Sequence, residues 1–147
     1  MEIERKFIPI ELPEDLNQFE HHKIEQAYLN TAPVIRIRKQ DDEYILTYKG
    51  GGMMAREEYN LPLNKDSYYH LLEKADGNVI TKTRFNIPIH DNLIAELDIF
   101  EGKFAGMALV EVEFDSIEQA NSFTPPEWFG EDVTHDKRFH NSYLSRI

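Results

Sequence analysis

A chain of 147 residues, 41% of them hydrophobic, is long enough to bury a core as one domain. Its formal net charge of −11 argues against nonspecific nucleic-acid binding, which needs a basic face to displace counterions, so a polyanionic ligand must meet a local basic pocket or metal ions. With no cysteine there are no disulfides, thiolate nucleophiles or thiolate metal sites, which fits the cytoplasm. The start, MEIERKF, lacks the apolar core of a signal peptide, and the longest apolar run, near 104–110, is too short to span a bilayer, so no membrane role is expected.

The first strand is Glu2 to Phe7. Successive side chains of a strand alternate between faces, so Glu2, Glu4 and Lys6 share one face and Ile3, Arg5 and Phe7 the other. Pro9 and Pro13 end it, and 13–23 reads as a polar turn or short helix. His21 and His22 are neighbours; on a strand they would point apart and could not jointly clamp a metal. A second strand covers 26–30, with Gln26, Tyr28 and Asn30 on one side. A third, 34–39, and a fourth, 43–49, join through Asp41-Asp42 as a hairpin. Gly50-Gly51-Gly52 follows a strand without the GxxxxGK[ST] pattern, which makes it a loop rather than a nucleotide-binding P-loop. The fifth strand is 54–63.

Asn64 or Asp66 caps a helix over 64–75, with Tyr68, Leu71, Leu72 and Ala75 at helical spacing and Gly77 as its stop. Strands over 79–89, 93–100 and 108–115 complete eight. Ser116 to Gln119 is a capping box opening a helix that reaches Ser122. Pro125-Pro126 breaks it, 128–130 reads as a packed turn, and the tail 136–144 ends in a short helix returning to the strands.

Charges recur at i, i+2 on these strands: Arg36 and Arg38, Arg56 and Glu58, Lys82 and Arg84, Glu96 and Asp98, Glu111 and Glu113. The alternate positions are largely apolar. An ordinary one-sided sheet turns its ionic face to water, but the two helices would cover the apolar faces here. The ionic faces then point inward: Glu2, Glu4, Glu58, Glu96, Asp98, Glu111 and Glu113 against Lys6, Arg36, Arg38, Lys49, Arg56, Lys82 and Arg84. Paired carboxylates roughly 6.5 to 7 Å apart repel by about 2.4 kcal/mol at an effective dielectric near 20, a cost that a divalent cation removes. Hard oxygen ligands suit Mg2+ or Mn2+, and arginine forks match phosphate oxygens.

The ordered series EIERKF, QAYLN, IRIRK, LTYKG, REEY, TKTRF, AELDIF, VEVEF and DKRFHNSYL resembles the CYTH group, the triphosphate tunnel metalloenzymes, along essentially the whole chain. The resemblance implies a β-rich α+β fold, a closed antiparallel eight-stranded tunnel with a charged interior and a few helices outside. It implies metal-dependent hydrolysis of a triphosphate, inorganic tripolyphosphate first and a nucleoside triphosphate next. It also sets the second strand against the first, where the Tyr28 hydroxyl would reach Lys6 or a phosphate. Arg36, Arg38, Lys49, Arg56, Lys82 and Arg84 are then the phosphate binders. Glu2, Glu4, Glu111 and Glu113 hold the metal, with Glu58, Glu96 and Asp98 as near partners. Lys6, Glu4 and Glu111 stand at the reaction centre, Lys6 orienting the attacking water or the leaving group. Alternatives are a class IV adenylate cyclase, a thiamine triphosphatase or a non-catalytic polyphosphate-binding module, as monomer or homodimer. A serine hydrolase lacks its GxSxG, and a zinc enzyme its HExxH.

Overall fold

The structure is a computed structural model describing residues 1–147. Ten strands are present: β1 (Glu2–Pro9), β2 (Glu20–Thr31), β3 (Val34–Gln40), β4 (Glu43–Lys49), β5 (Ala55–Arg56), β6 (Glu58–Leu63), β7 (Asp76–Pro88), β8 (Ile94–Phe100), β9 (Ala108–Glu113) and β10 (Phe129–Asp132). Helices α1 (Lys65–Leu72), α2 (Ile117–Ser122) and α3 (Asn141–Leu144) lie between and after them. Antiparallel neighbours run β1, β9, β8, β7, β2, β3, β4, β6. The ring closes where β5 pairs with β1 through Glu2↔Arg56 and Ile3↔Ala55. Because β5 and β6 are one stretch interrupted at Glu57, the closed ring has the eight members the sequence implies, and closure leaves no long free edge within it.

β10 is the addition. The sequence reads it as a turn, yet it pairs with the far half of β1 through Phe7↔Asp132 and Pro9↔Phe129. β2 also starts earlier than the periodicity suggests, at Glu20, leaving only a 3-10 turn at Leu16–Gln18 before it. The reason is that Glu20, His21, His22 and Lys23 are polar on both faces and hide the alternation. His21 packs on Phe85, with ring centroids 5.4 Å apart, while His22 bonds Asp41 at 2.6 Å and Glu20 at 2.9 Å.

Helix α1 is capped as its sequence suggests: the Asn64 side chain accepts from the Ser67 amide at 2.7 Å, and Ser67 Oγ accepts from the Asn64 amide at 3.1 Å. It stops at Leu72, before Gly77, so Gly77 is not its terminator. Gly77 lies inside β7 at φ 71, where a Cβ would collide with the Ser145 carbonyl oxygen. Only glycine permits that approach, and the next amide, of Asn78, donates to the same carbonyl at 2.6 Å. The C-terminal segment is thereby tied to the barrel.

Apolar side chains face outward and are covered. Phe7, Phe85, Leu97, Val110, Val112 and Phe114 pack with Ala120, Phe123 and Phe129. On the other flank Tyr68 of α1, fully buried, covers Ala27 and Ile37, and its hydroxyl donates to Glu25 Oε1 at 2.8 Å. Each large side chain so buried is worth about 1.5–3 kcal/mol. Outer burial of this kind offsets the cost of an ionic interior. A third cluster lies inside the barrel at one end: Tyr28, Val34, Ile80, Phe100 and Leu109 with Val133 and Leu144. No helix is long and apolar enough to cross a membrane.

Candidate active site

The barrel encloses a cavity of about 230 Å3 whose only apolar lining comes from Tyr28, Val34 and Ile45. Register builds it. β1 and β9 set Glu4 opposite Glu113 and Lys6 opposite Glu111; β8 and β9 set Glu96 opposite Glu111; β4 and β6 set Lys49 opposite Glu58. From the far wall β3 contributes Arg36 and Arg38 and β7 Arg84, while Arg56 of β5 lines the cavity beside Glu2 of β1. Of the side chains singled out from the sequence, only Lys82 and Asp98 fail to line the cavity.

These two form a foundation behind the wall. Asp98 accepts from Arg84 Nε at 2.7 Å and Nη2 at 2.9 Å, and from Lys82 Nζ at 2.7 Å. Both its oxygens are occupied, which corrects its assignment as a metal partner. Lys82, with a fully buried side chain, also donates to Asn141 Oδ1 at 3.3 Å and does not reach the cavity, which corrects its assignment as a phosphate binder. Burial pulls the Lys82 pKa down to about 7 against the attraction of Asp98. Arg84 is held charged: burial opposes its charge, but Asp98 and Glu96, the latter 3.2 Å away, outweigh it.

Three other arginines have no such partners. Arg36 bonds only the Thr47 hydroxyl, at 3.3 Å, and its buried Nε has no partner. Arg38 directs Nε and Nη2 at the neutral Gln26 Oε1, at 2.9 and 2.7 Å, and Arg56 directs Nε at the Gly50 carbonyl at 3.0 Å. Burial, then the charges of Arg36 and Arg84, pull the Arg38 pKa down to about 9. Buried cations without counterions are costly. An anion among them removes that cost.

The opposite wall shows the converse problem and meets it with protons. Burial pushes Glu2 up to about 7 despite Lys49, whose Nζ lies 2.9 Å from Glu2 Oε1 and 3.5 Å from Glu58 Oε2. Glu58, where burial is outweighed by bonding to Glu2 and by Lys49, is pulled down to about 2. The pair shares one proton. Glu4 and Glu111 are moved apart in the same sense: burial and then the Glu111 charge raise Glu4, while Lys6, 3.6 Å from Glu111, and Arg84 overcome burial to lower Glu111. Glu113 is raised by burial and by Glu96. No three His, Cys, Asp or Glu side chains converge into a ready-made metal cluster. Carboxyl pairs crowded in this way nevertheless suit a hard cation that takes one or two carboxylates and completes its shell with water and phosphate oxygens.

A pH test follows. Between pH 2 and 4.5 unfolded Glu58 binds a proton that folded Glu58 lacks, so stability rises with pH; between 4.5 and 7 folded Glu2 keeps a proton that the unfolded chain has lost, so stability falls. In chelator, Glu2→Gln should lessen that fall, the remainder coming from the raised Glu4 and Glu113. Urea denaturation of both proteins across this window measures the difference, and identical slopes would refute the shared proton.

Tyr28 lies opposite Arg36, but β2 pairs with β3 and β7 rather than with β1. The Tyr28 hydroxyl therefore approaches the cavity from the basic side, and Lys6 Nζ instead donates to the Phe139 carbonyl at 3.0 Å. The sequence reading also missed His140, Asn141 and Ser142, which line the cavity from the C-terminal segment, together with Thr47 and Asn60. Burial and then Lys6 lower the His140 pKa. Thr47 and Asn60 were within reach, being two residues from Lys49 and Glu58 on the same faces. No alternation marks the tail residues, although the resemblance includes them within DKRFHNSYL.

A closed antiparallel barrel with segregated acidic and basic inner walls defines a tunnel protein for a polyanion. The chain belongs to the CYTH domain family, whose model matches residues 1–139. It is 37% identical over 147 residues to the inorganic triphosphatase of Nitrosomonas europaea, covering 98% of this chain and 96% of that one. Identity to the inorganic triphosphatase of Acetivibrio thermocellus is 31% over 115 residues, 75% of this chain and 70% of the relative. A crystal structure of an inorganic triphosphatase superposes with TM-score 0.74 at 35% identity, covering 100% of this chain and 95% of that one. HpAC1 from Hippeastrum, at 19% identity and TM-score 0.62 over 82% of this chain and 83% of that one, shares the fold.

Proposed function

We propose that this protein hydrolyses inorganic tripolyphosphate inside the barrel, with Mg2+ or Mn2+ as cofactor. The observation that carries the reading is the pairing of two unmet needs across one cavity. Arg36 and Arg38 lack counterions, and across the cavity from them are the carboxyl pairs Glu2/Glu58 and Glu4/Glu111, in each of which burial raises the pKa of one member while neighbouring charges and bonds lower that of the other. A triphosphate with a divalent cation satisfies both sides. The names of the relatives support the same substrate.

Arg36, Arg38, Arg56 and Arg84 bind phosphate oxygens as charge-assisted forks, and Lys49 adds a point charge. Glu2, Glu4, Glu111 and Glu113 hold the metal, with Glu58 and Glu96 beside them. When bound, the metal supplies charge neutralisation at the transferring phosphoryl group and acidifies the attacking water. Lys6, fixed by Glu111 and by the Phe139 carbonyl, orients the water or the leaving oxygen. Lys82 and Asp98 position Arg84. The cavity, about 230 Å3, falls below the roughly 300–1,000 Å3 of sites that enclose drug-sized ligands, so a nucleoside would stay outside it.

The test is turnover of tripolyphosphate, ATP, thiamine triphosphate and pyrophosphate with Mg2+, Mn2+ or chelator. Tripolyphosphate should be cleaved fastest, and chelator should abolish the reaction. Undiminished turnover in chelator would sink the two-wall reading, and cyclic AMP from ATP would favour the cyclase. Arg38→Ala should weaken tripolyphosphate binding by about 1.5–3 kcal/mol, the value of a charge-assisted bond. Unchanged affinity by calorimetry would take Arg38 out of the site.

A further inference from the structure

Two arginines of the basic wall are held by the same edge of the guanidinium, but the residues that hold them differ in charge. Arg84 directs Nε and Nη2 at the two oxygens of Asp98, at 2.7 and 2.9 Å. Arg38 directs Nε and Nη2 at the single oxygen of Gln26, at 2.9 and 2.7 Å. Register sets Gln26 of β2 directly opposite Arg38 of β3, with Ile80 of β7 on its other side. Gln26 is fully buried and does not line the cavity, whereas Arg38 does. Arginine offers donors only, so the amide must turn its oxygen to Arg38, and its Nε2 group is left buried without a partner. A carboxylate of the same length would meet both N–H groups with two oxygens, offset a buried charge and remove the orphaned donor. A neutral side chain here therefore costs stability twice, through an unpaired cation and through an unsatisfied amide.

We infer that Gln26 is a positioning residue that fixes the direction of the Arg38 fork while leaving its positive charge for the polyanion. This rests on the triphosphatase reading above. Arg84 already has Asp98 and Glu96 as counterions, so it meets phosphate as a donor whose charge is largely offset. Arg38 has none, and the charges of Arg36 and Arg84 add to the positive field around it. A glutamate at position 26 would be favoured by that field in the ligand-free protein and would compete with phosphate for Arg38 when ligand arrives. Stability and affinity are thus set against each other at this residue.

The experiment compares Gln26→Glu and Gln26→Met with wild type, by urea denaturation without ligand and by kcat and KM for tripolyphosphate with Mg2+. Gln26→Glu should raise the urea midpoint of the ligand-free protein, yet raise KM by about tenfold or more, the worth of one charge-assisted bond. Its kcat should change little, because a charge that binds ground and transition states alike acts on KM. Gln26→Met keeps the volume and the Arg38 charge but removes the oxygen, so it should lower the midpoint and raise KM by less than the glutamate does. A side chain that served packing alone would lose stability in both variants, and KM would not separate them. A glutamate variant less stable than wild type, or one with unchanged KM, overturns the inference, and so does a methionine variant whose KM rises as far as the glutamate's. Absence of tripolyphosphate turnover in wild type would instead overturn the functional reading, while the urea midpoints would still decide whether Gln26 leaves a buried charge unmatched.

Discussion

Glu4→Gln is expected to lose turnover by about a hundredfold or more, since even residues that merely support metal ligands cost 10–100-fold when changed, whereas Glu57→Gln stays near wild type. Both substitutions remove one charge and keep nearly the same shape. They differ in which face the residue occupies. Glu4 sits on β1 opposite Glu113, in the cavity, its pKa raised by burial and then by the Glu111 charge. Glu57 is the exposed break between β5 and β6, where pairing passes from β1 to β4. A glutamine at position 4 still hydrogen-bonds, but it cannot supply the charge that a divalent cation needs on this wall. Titrating turnover against Mg2+ for both variants decides the matter. The Glu4 variant should need far more metal, or fail at any concentration; equal loss in the two, or a silent Glu4 change, would mean that the inward face has been misassigned.

That face was legible because a strand has period two. Charges at i, i+2 with apolar residues between them fix which side chains travel together, and two amphipathic helices can cover only the apolar side. Glu2, Glu4 and Lys6, or Arg36 and Arg38, are therefore found from alternation alone. Depth is a different matter. Lys82 and Arg84 look equivalent in sequence, as do Glu96 and Asp98, but only one of each pair reaches the cavity. Alternation gives the side of the sheet and not the distance along the barrel axis, which depends on strand tilt and stagger. The C-terminal wall was hidden for another reason. His140, Asn141 and Ser142 reach the site through tertiary contacts with Lys6, Lys82 and Asn78, and no local pattern records those. β10 escaped notice because four residues after a double proline are too few to show a period.

Asp98→Asn should destabilise the protein by about 3–5 kcal/mol, the cost of leaving buried charges without their partner. Asp98 is 1% exposed and is the hub for Arg84 and Lys82, with contacts at 2.7–2.9 Å. Asparagine keeps the shape but offers one acceptor oxygen and no charge to two cations. Arg84 retains Glu96 at 3.2 Å, so Lys82 bears most of the loss. Its remaining contacts are Asn141 at 3.3 Å and the face of Phe100, 5.4 Å from the ring centroid. Without Asp98 the burial that already lowers the Lys82 pKa is unopposed, leaving a desolvated polar amine; adding Lys82→Met to Asp98→Asn removes that amine while filling its volume, so the double variant should be more stable than Asp98→Asn alone. Urea denaturation of the three proteins measures this. The opposite order, or an Asp98→Asn change within about 0.5 kcal/mol of wild type, the range of ordinary surface substitutions, would mean that the cluster is not held by its charges. Activity gives a second reading. Arg84 projects from this hub into the cavity, so Asp98→Asn should raise KM for tripolyphosphate even where the protein is fully folded, although Asp98 itself never meets the substrate.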